Sequence, residues 1–269
     1  MIVIVFLFYF NIYMHNFPEK KDFENFFFNF YGYGNLNSNI WFIGIEEGSV
    51  SNSVEELIKR IAVWKDMGEE KILDCKEFHL KLGMGNEKPF ITGSIQATWG
   101  RYIDLIHRLR NFNKITKEEK RRYQLNNFAT RESDHCLLEL FPIPCRNINS
   151  WPYADLIEII EFFKDKKLFQ EFVVNKRIEN IQKLIEKYQP RLVIFNSSGV
   201  KESLISYWEQ IINSKLEKII IDTANGSDFY FKNTNFQTKF YSLHNLKYEP
   251  DEVKSSIVDH FKKNSTKSI

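Results

Sequence analysis

The chain has 269 residues, with 37 Lys and Arg against 35 Asp and Glu for a formal net charge of +2, so a histone-like tail is excluded and any nucleic-acid contact must be a local patch. A mean hydropathy of −0.37 excludes a polytopic membrane protein, and only 11 Gly and 7 Pro exclude collagen-like, elastic and linker-rich designs. Three Cys cannot close a disulfide framework, and such sparse use suits a reducing, cytoplasmic setting. The 25 Phe do not by themselves mark stacking platforms, because Phe, Ile, Lys, Asn and Tyr all have AT-rich codons.

Residues 1–14, MIVIVFLFYFNIYM, form the most apolar stretch. The run is shorter than the roughly 20 residues that cross a bilayer, and it lacks a basic leader and a small-residue cleavage site. An edge strand, a core-covering segment and a start at Met14 compete with a membrane or export role. Four continuous apolar runs then read as buried strands: 40–45, 136–141, 191–195 and 238–243, with 218–221 a weaker fifth. Helical periodicity covers 53–65, 96–110, 153–163, 169–188, 200–212 and 250–261. Such alternation predicts an α/β domain with a central parallel sheet of four or five strands flanked by helices on both faces. No internal repeat or low-complexity linker divides it, so residues 31–269 read as a single domain and 1–30 as an apolar, helical extension.

In such a sheet the chemistry belongs beyond the carboxyl ends of the strands, at a topological switch point. The loops to interrogate follow Ile45, Phe141, Phe195 and Leu243. The first is Gly44-Ile45-Glu46-Glu47-Gly48-Ser49, leading into Ser53-Val54-Glu55-Glu56, a capping box that starts a helix. Its glycines let backbone approach a ligand, and amides at the helix entrance can hold a phosphate or a carboxylate. Neither the dinucleotide-binding glycine signature nor a P-loop is present. Glu46 and Glu47 stand where strand-end carboxylates act on water or stabilise positive charge, or where solvated acids complement a helix dipole.

The last loop is Ser242-Leu243-His244-Asn245-Leu246-Lys247-Tyr248. His244 directly after a strand can donate to an oxygen gaining negative charge, or be a satisfied structural histidine. Leu246, Lys247 and Tyr248 supply an apolar wedge, a phosphate contact and a stacking ring, a mixture suited to prising a base from a duplex. Phe90, behind Pro89, presents a ring face to a planar base or plugs its loop into the core. Cys75 and His79 lie one helical turn apart and His135 adjoins Cys136, but without a second half-site they do not make a metal centre. The mixed charges of 117–122 read as a solvated helix face.

Together these loops resemble the uracil-DNA glycosylase superfamily, whose members fold as a small parallel sheet flanked by helices and excise bases from DNA. Gly44-Ile45-Glu46-Glu47-Gly48 is similar to the first motif, Gly-Ile-Asn-Pro-Gly in the mismatch-specific and thymine-DNA branches. Pro89-Phe90 with Gly93 resembles the Pro-Phe-x-Gly element whose Phe stacks on the target base. The run 136–146, ending Pro144-Cys145-Arg146, resembles the second strand and its exit, and Pro190-Arg191-Leu192-Val193-Ile194 the strand that follows. His244 falls where a His-Pro-Ser motif begins, with Leu246 near its wedge.

The departures are specific. Glu46 replaces the water-handling Asp or Asn, Glu47 replaces Pro, and Asn245 replaces the Pro after the His. Phe141 stands where the family has the Asn that reads uracil, which points to another base, including a bulky modified base in foreign DNA. Glu139, two residues earlier, is an alternative polar reader that can accept from an exocyclic amine. Three Cys cannot supply the four ligands of the thermostable branch's iron–sulfur cluster, and an insertion between Gly48 and Pro89 lengthens the first crossover. The resemblance thus implies a base-flipping DNA glycosylase of base excision or defence that needs no cofactor, metal, membrane or obligate protein partner. Glu46 and His244 would be catalytic, with Glu47 in reserve. Gly44, Gly48, Ser49, Phe90, Glu139, Phe141, Asn245, Leu246 and Lys247 would contact the nucleic acid. A catalytically silent DNA-binding module and a nucleotide or phosphoester hydrolase are the rival readings, because fold alone does not fix function.

Overall fold

The run Ile40-Trp41-Phe42-Ile43 is apolar on both faces of a strand, which requires cover on both sides. Trp41 meets Tyr188, with ring centroids 6.2 Å apart, while Phe42, pointing the other way, packs 4.3 Å from Tyr102. Helices therefore flank the sheet on both faces. These contacts belong to a computed structural model that describes residues 17–49, 51–83, 94–110, 115–147, 149–196, 202–220, 228–233, 238–243 and 251–263.

In chain order the described elements are α1 (Lys20–Asn29), β1 (Gly32–Gly34), β2 (Ile40–Gly48), α2 (Val54–Asp66), β3 (Ile72–Leu73), α3 (Cys75–Lys81), α4 (Ala97–Leu109), α5 (Lys117–Asn126), β4 (His135–Cys145), α6 (Lys166–Tyr188), β5 (Leu192–Asn196), α7 (Glu202–Ile211), β6 (Glu217–Ile220), β7 (Asp228–Asn233), β8 (Lys239–Leu243) and α8 (Asp251–Lys263). Among them, no helix is long and apolar enough to cross a membrane. The strands form one sheet in the order β3-β1-β4-β2-β5-β8-β7-β6.

The α/β class holds, but the expected sheet of four or five parallel strands is corrected: it has eight strands and is mixed. Parallel pairing joins β4, β2, β5 and β8, whereas β1 runs antiparallel to β4, and β7 antiparallel to both β8 and β6. Phe229 and Phe231 are buried while Tyr230 and Lys232 between and after them are half-buried, so β7 has period two rather than a continuous apolar run. At β1, Gly32 has φ +146°, and a Cβ there would lie 2.1 Å from the Leu137 carbonyl oxygen. Only glycine lets β1 close on β4 at that point.

The helix expected over 153–163 is also corrected. Two 3₁₀ turns, Ala154–Leu156 and Glu161–Lys164, flank an extended Ile160 with φ −142° and ψ 105°. Packing overrides the local periodicity: Trp151 donates its indole N–H to the Phe163 carbonyl at 2.8 Å, and Phe163 stacks on Phe169. Helix α1 buries Phe23, Phe26 and Phe27 in the same hydrophobic cluster as the strands.

A buried arginine fastens α1 and α6 to β4. Arg177 is fully buried and donates to four carbonyls: Leu140 at 2.9 Å, Phe27 at 2.7 Å, Phe30 at 2.6 Å and Glu139 at 2.5 Å. Its guanidinium also lies 4.3 Å from the Tyr31 ring centroid. Burial pulls its pKa down to about 10, against the pull of Tyr31 and Glu139. Arg177→Met leaves those carbonyls without donors, so urea unfolding should show a loss of about 3 kcal/mol or more. A loss under about 1 kcal/mol would mean that other groups replace them.

Candidate active site

Strand β2 has later parallel strands on both sides, β4 on one and β5 on the other, which is the arrangement that leaves a crevice beyond the carboxyl ends. One row of the sheet sets the entrance, with Glu139, Gly44 and Asn196 as lateral partners. Beyond that row the edge loosens. Pro142 and Pro144 remove two donors from β4, and its pairing with β2 slips from Glu46 against Phe141 to Gly48 against Cys145.

Glu47 is held inside a charged network. Its Oε2 accepts from the Tyr33 hydroxyl at 2.8 Å and Arg60 Nη1 at 2.9 Å, and its Oε1 accepts from Arg60 Nη2 at 3.2 Å. His79 Nε2 lies 3.2 Å from the same Oε1. Burial alone would raise the Glu47 pKa, but the Arg60 guanidinium, with His79 and Tyr33, holds it down to about 2. Arg60, itself 1% exposed, also binds Glu56. The order Cys75–His79–Glu47 mimics a nucleophile–imidazole–acid relay. However, Cys75 is 1% exposed, burial pushes its thiol well up, and His79 Nδ1 lies only 2.7 Å from the Cys75 carbonyl against 3.6 Å from Sγ. A buried, protonated thiol is not a nucleophile.

Among the described residues, Glu46 pairs with one lysine. Lys166, in the first turn of α6, lies 2.8 Å from its Oε1 and 2.7 Å from its Oε2. The Glu46 side chain is only 8% exposed. Burial raises its pKa above the ordinary carboxylate value, while Lys166 pulls the other way.

Glu139 lacks such relief. Among the described residues its buried Oε2 finds no hydrogen-bond partner, a situation that costs about 1–3 kcal/mol. Burial, then Glu47 and Glu46, push its pKa well up, with Arg177 opposing. The carboxyl lies directly over Gly44, where an added Cβ would sit 2.2 Å from Oε2. Tyr102, packed on Phe42, accepts from Asn196 Nδ2 at 3.1 Å on the same side.

The remaining candidates are distributed differently. Gly48 is exposed with open space beside it. The Ser49 hydroxyl donates to Glu56 Oε2 at 2.6 Å, and the Ser51 amide and hydroxyl converge on the same oxygen at 3.0 and 2.9 Å. The loop therefore already cradles an anion, the carboxylate of its own helix. Ser53 accepts from the Glu56 amide, but Glu56 turns to Ser49 and Ser51 instead of completing the capping box. Phe141 is buried edge-on to Tyr207, with centroids 5.8 Å apart. Phe90, His244, Asn245, Leu246 and Lys247 lie outside the described residues.

Sequence reasoning missed Lys166, Tyr33, Tyr102 and Asn196. Lys166 is 120 residues from Glu46 and carries no spacing signal, whereas Arg60 follows Glu56 at i+4 on α2, a pattern visible in advance. Among the described residues, no group of three or more His, Cys, Asp or Glu is arranged to hold a metal ion. No family model matches the chain, and no curated protein matches it.

The carboxyls separate by pH. The Glu47 pKa is depressed from 4.5 to about 2 by folding, so its stabilisation is full above pH 4.5 and fades as pH falls toward 2. Thermal unfolding of Glu47→Gln should show a lower Tm than wild type at neutral pH, with the two curves converging at acid pH. The Glu139 pKa is raised, so its contribution is favourable below the ordinary value of 4.5 and is lost as pH rises through the folded value. Glu139→Gln should therefore melt above wild type at neutral pH and match it below pH 4.5; a lower Tm throughout contradicts the assignment.

Proposed function

We propose that the chain is a DNA N-glycosidase that everts a nucleotide and hydrolyses the bond between its base and sugar. The observation that carries this reading is Glu46: a carboxylate 8% exposed, at the carboxyl end of the strand flanked by β4 and β5, clamped by one lysine. Ionised Glu46 orients water toward the anomeric carbon and favours the cationic sugar as the base departs. Lys166 is a positioning residue that keeps this buried carboxylate ionised. Water supplies the hydroxyl at the sugar and the proton that ends on the released base, with His244 stabilising the departing anion. Glu47 acts through structure, because Arg60 and Tyr33 already engage its oxygens. The resemblance of Gly44-Ile45-Glu46-Glu47-Gly48 and of the run 136–146 to the uracil-DNA glycosylase superfamily supports the same reading, and Phe141 in the reading position favours a base other than uracil.

The test is incubation with oligonucleotides bearing uracil, mismatched, alkylated and hypermodified bases, followed by alkaline cleavage at abasic sites. Glu46→Gln should slow excision by about 100-fold or more while leaving DNA affinity nearly unchanged. Lys166→Met removes the cation that opposes burial, so the acidic limb of the pH–rate profile should move to higher pH. Excision by Glu46→Gln at the wild-type rate removes Glu46 from its role. The second reading, a silent DNA-binding module, draws on the fact that both Glu46 oxygens already face Lys166. It predicts salt-sensitive DNA binding and no abasic product from any substrate.

A further inference from the structure

Lys166 opens α6 directly after its N-cap Asp165, whose carboxylate accepts from the Leu168 amide at 2.9 Å, so the cap fixes the turn that carries the lysine. The Lys166 side chain is 14% exposed, whereas that of neighbouring Lys167 is 85% exposed. A primary amine so nearly shut from water, with a carboxylate oxygen 2.7 Å from its nitrogen, has the makings of a nucleophile as well as a counter-ion. The acid can take its proton, and the free amine adds to a carbonyl carbon. The Cys145 thiol at the end of β4 does not compete. Burial pushes it up to about 12, with Glu46 adding to the rise and Lys166 opposing it, and a protonated thiol is a poor nucleophile. We propose that Lys166 is an imine-forming lysine whose substrate is the aldehyde of an abasic deoxyribose, so that the chain also cuts the DNA strand at abasic sites. This rests on the glycosidase reading, which leaves that sugar beside Glu46.

Protons and electrons balance within the pair. Lys166 gives a proton to Glu46, and its neutral nitrogen adds to the C1′ carbonyl carbon of the opened sugar. The hydroxyl so formed leaves as water with the proton held on Glu46, and the carbon–nitrogen double bond forms as a protonated imine. Glu46, again a carboxylate, then takes a proton from C2′. The C2′–H electron pair makes a C2′–C3′ double bond, and the C3′–O pair departs with the phosphate. Water adds to the imine, returning the lysine and releasing the sugar as an unsaturated aldehyde. An acid and an amine in hydrogen-bond reach of each other serve every proton transfer in this sequence.

Duplex DNA carrying a preformed abasic site, incubated with the full chain and cyanoborohydride, tests this without any excision step, because the reductant turns the imine into a stable amine link. Wild type should form a covalent adduct with the DNA whose peptide map places the sugar on Lys166, and without the reductant it should nick the strand with no alkali added. Lys166→Met and Lys166→Arg, the second keeping a cation beside Glu46 but no primary amine, should each trap less than about a tenth of the wild-type adduct, whereas Lys167→Met should trap as much as wild type. Melting curves establish that the variants are folded. No adduct with wild type, an adduct mapped to another residue, or trapping by Lys166→Arg equal to wild type overturns the inference. A chain that excises a base yet traps no abasic DNA loses this inference alone, and one that traps through Lys166 yet excises no base loses the glycosidase reading alone.

Discussion

Three carboxylates at one end of a sheet repel one another in a medium that screens them poorly, and the surrounding architecture follows from how that repulsion is relieved. Glu47 is neutralised by Arg60, which ties α2 to the sheet and recruits Tyr33 from β1 and His79 from α3. Glu46 is neutralised by Lys166, which fixes the start of α6 at the end of β2. Among the described residues no partner reaches the Glu139 Oε2, and burial with the two neighbouring acids pushes its pKa well up instead. One end of the sheet therefore holds a carboxyl whose pKa is pulled down and two whose pKa values are pushed up. Divergent environments for neighbouring acids are the usual mark of divided labour in a site.

The helix entrance shows the same economy of charge. Ser49 and Ser51 turn their donors onto Glu56, which also receives Arg60. A loop that looks ready to hold an external phosphate is thus closed by an internal anion, and its donors brace the strand end that carries Glu46. Arg177 joins α1 to α6 and β4 by satisfying four carbonyls. Both arginines are buried, yet they solve the burial of charge in different ways, one by ion pairs and one by hydrogen bonds to carbonyls beside an aromatic ring.

Much of the central sheet was legible because β2, β4, β5 and β8 are covered on both faces and read as continuous apolar runs. The same logic hid β1, a single tyrosine between two glycines, and β7, whose apolar residues alternate. Glu46 and Glu47 were visible as strand-end acids, but their opposite fates were not. Those depend on Lys166 and Arg60, which arrive from other elements. Gly44 was legible as a place of close approach, although the group that approaches is the Glu139 carboxyl rather than backbone or ligand. Ser53 and Glu56 announced a helix start correctly, and only the folded loop could show that Glu56 would desert the cap for Ser49 and Ser51.

The central claim is that folding drives these three acids apart in proton affinity. Side-chain carboxyl carbon chemical shifts, followed by NMR across a pH series and assigned through single Gln replacements, measure it directly. The account predicts one glutamate titrating near 2 that vanishes with Glu47→Gln, a second above the ordinary value of 4.5 that vanishes with Glu46→Gln, and a third displaced furthest upward that vanishes with Glu139→Gln. Three carboxyls titrating together in the ordinary range would contradict it.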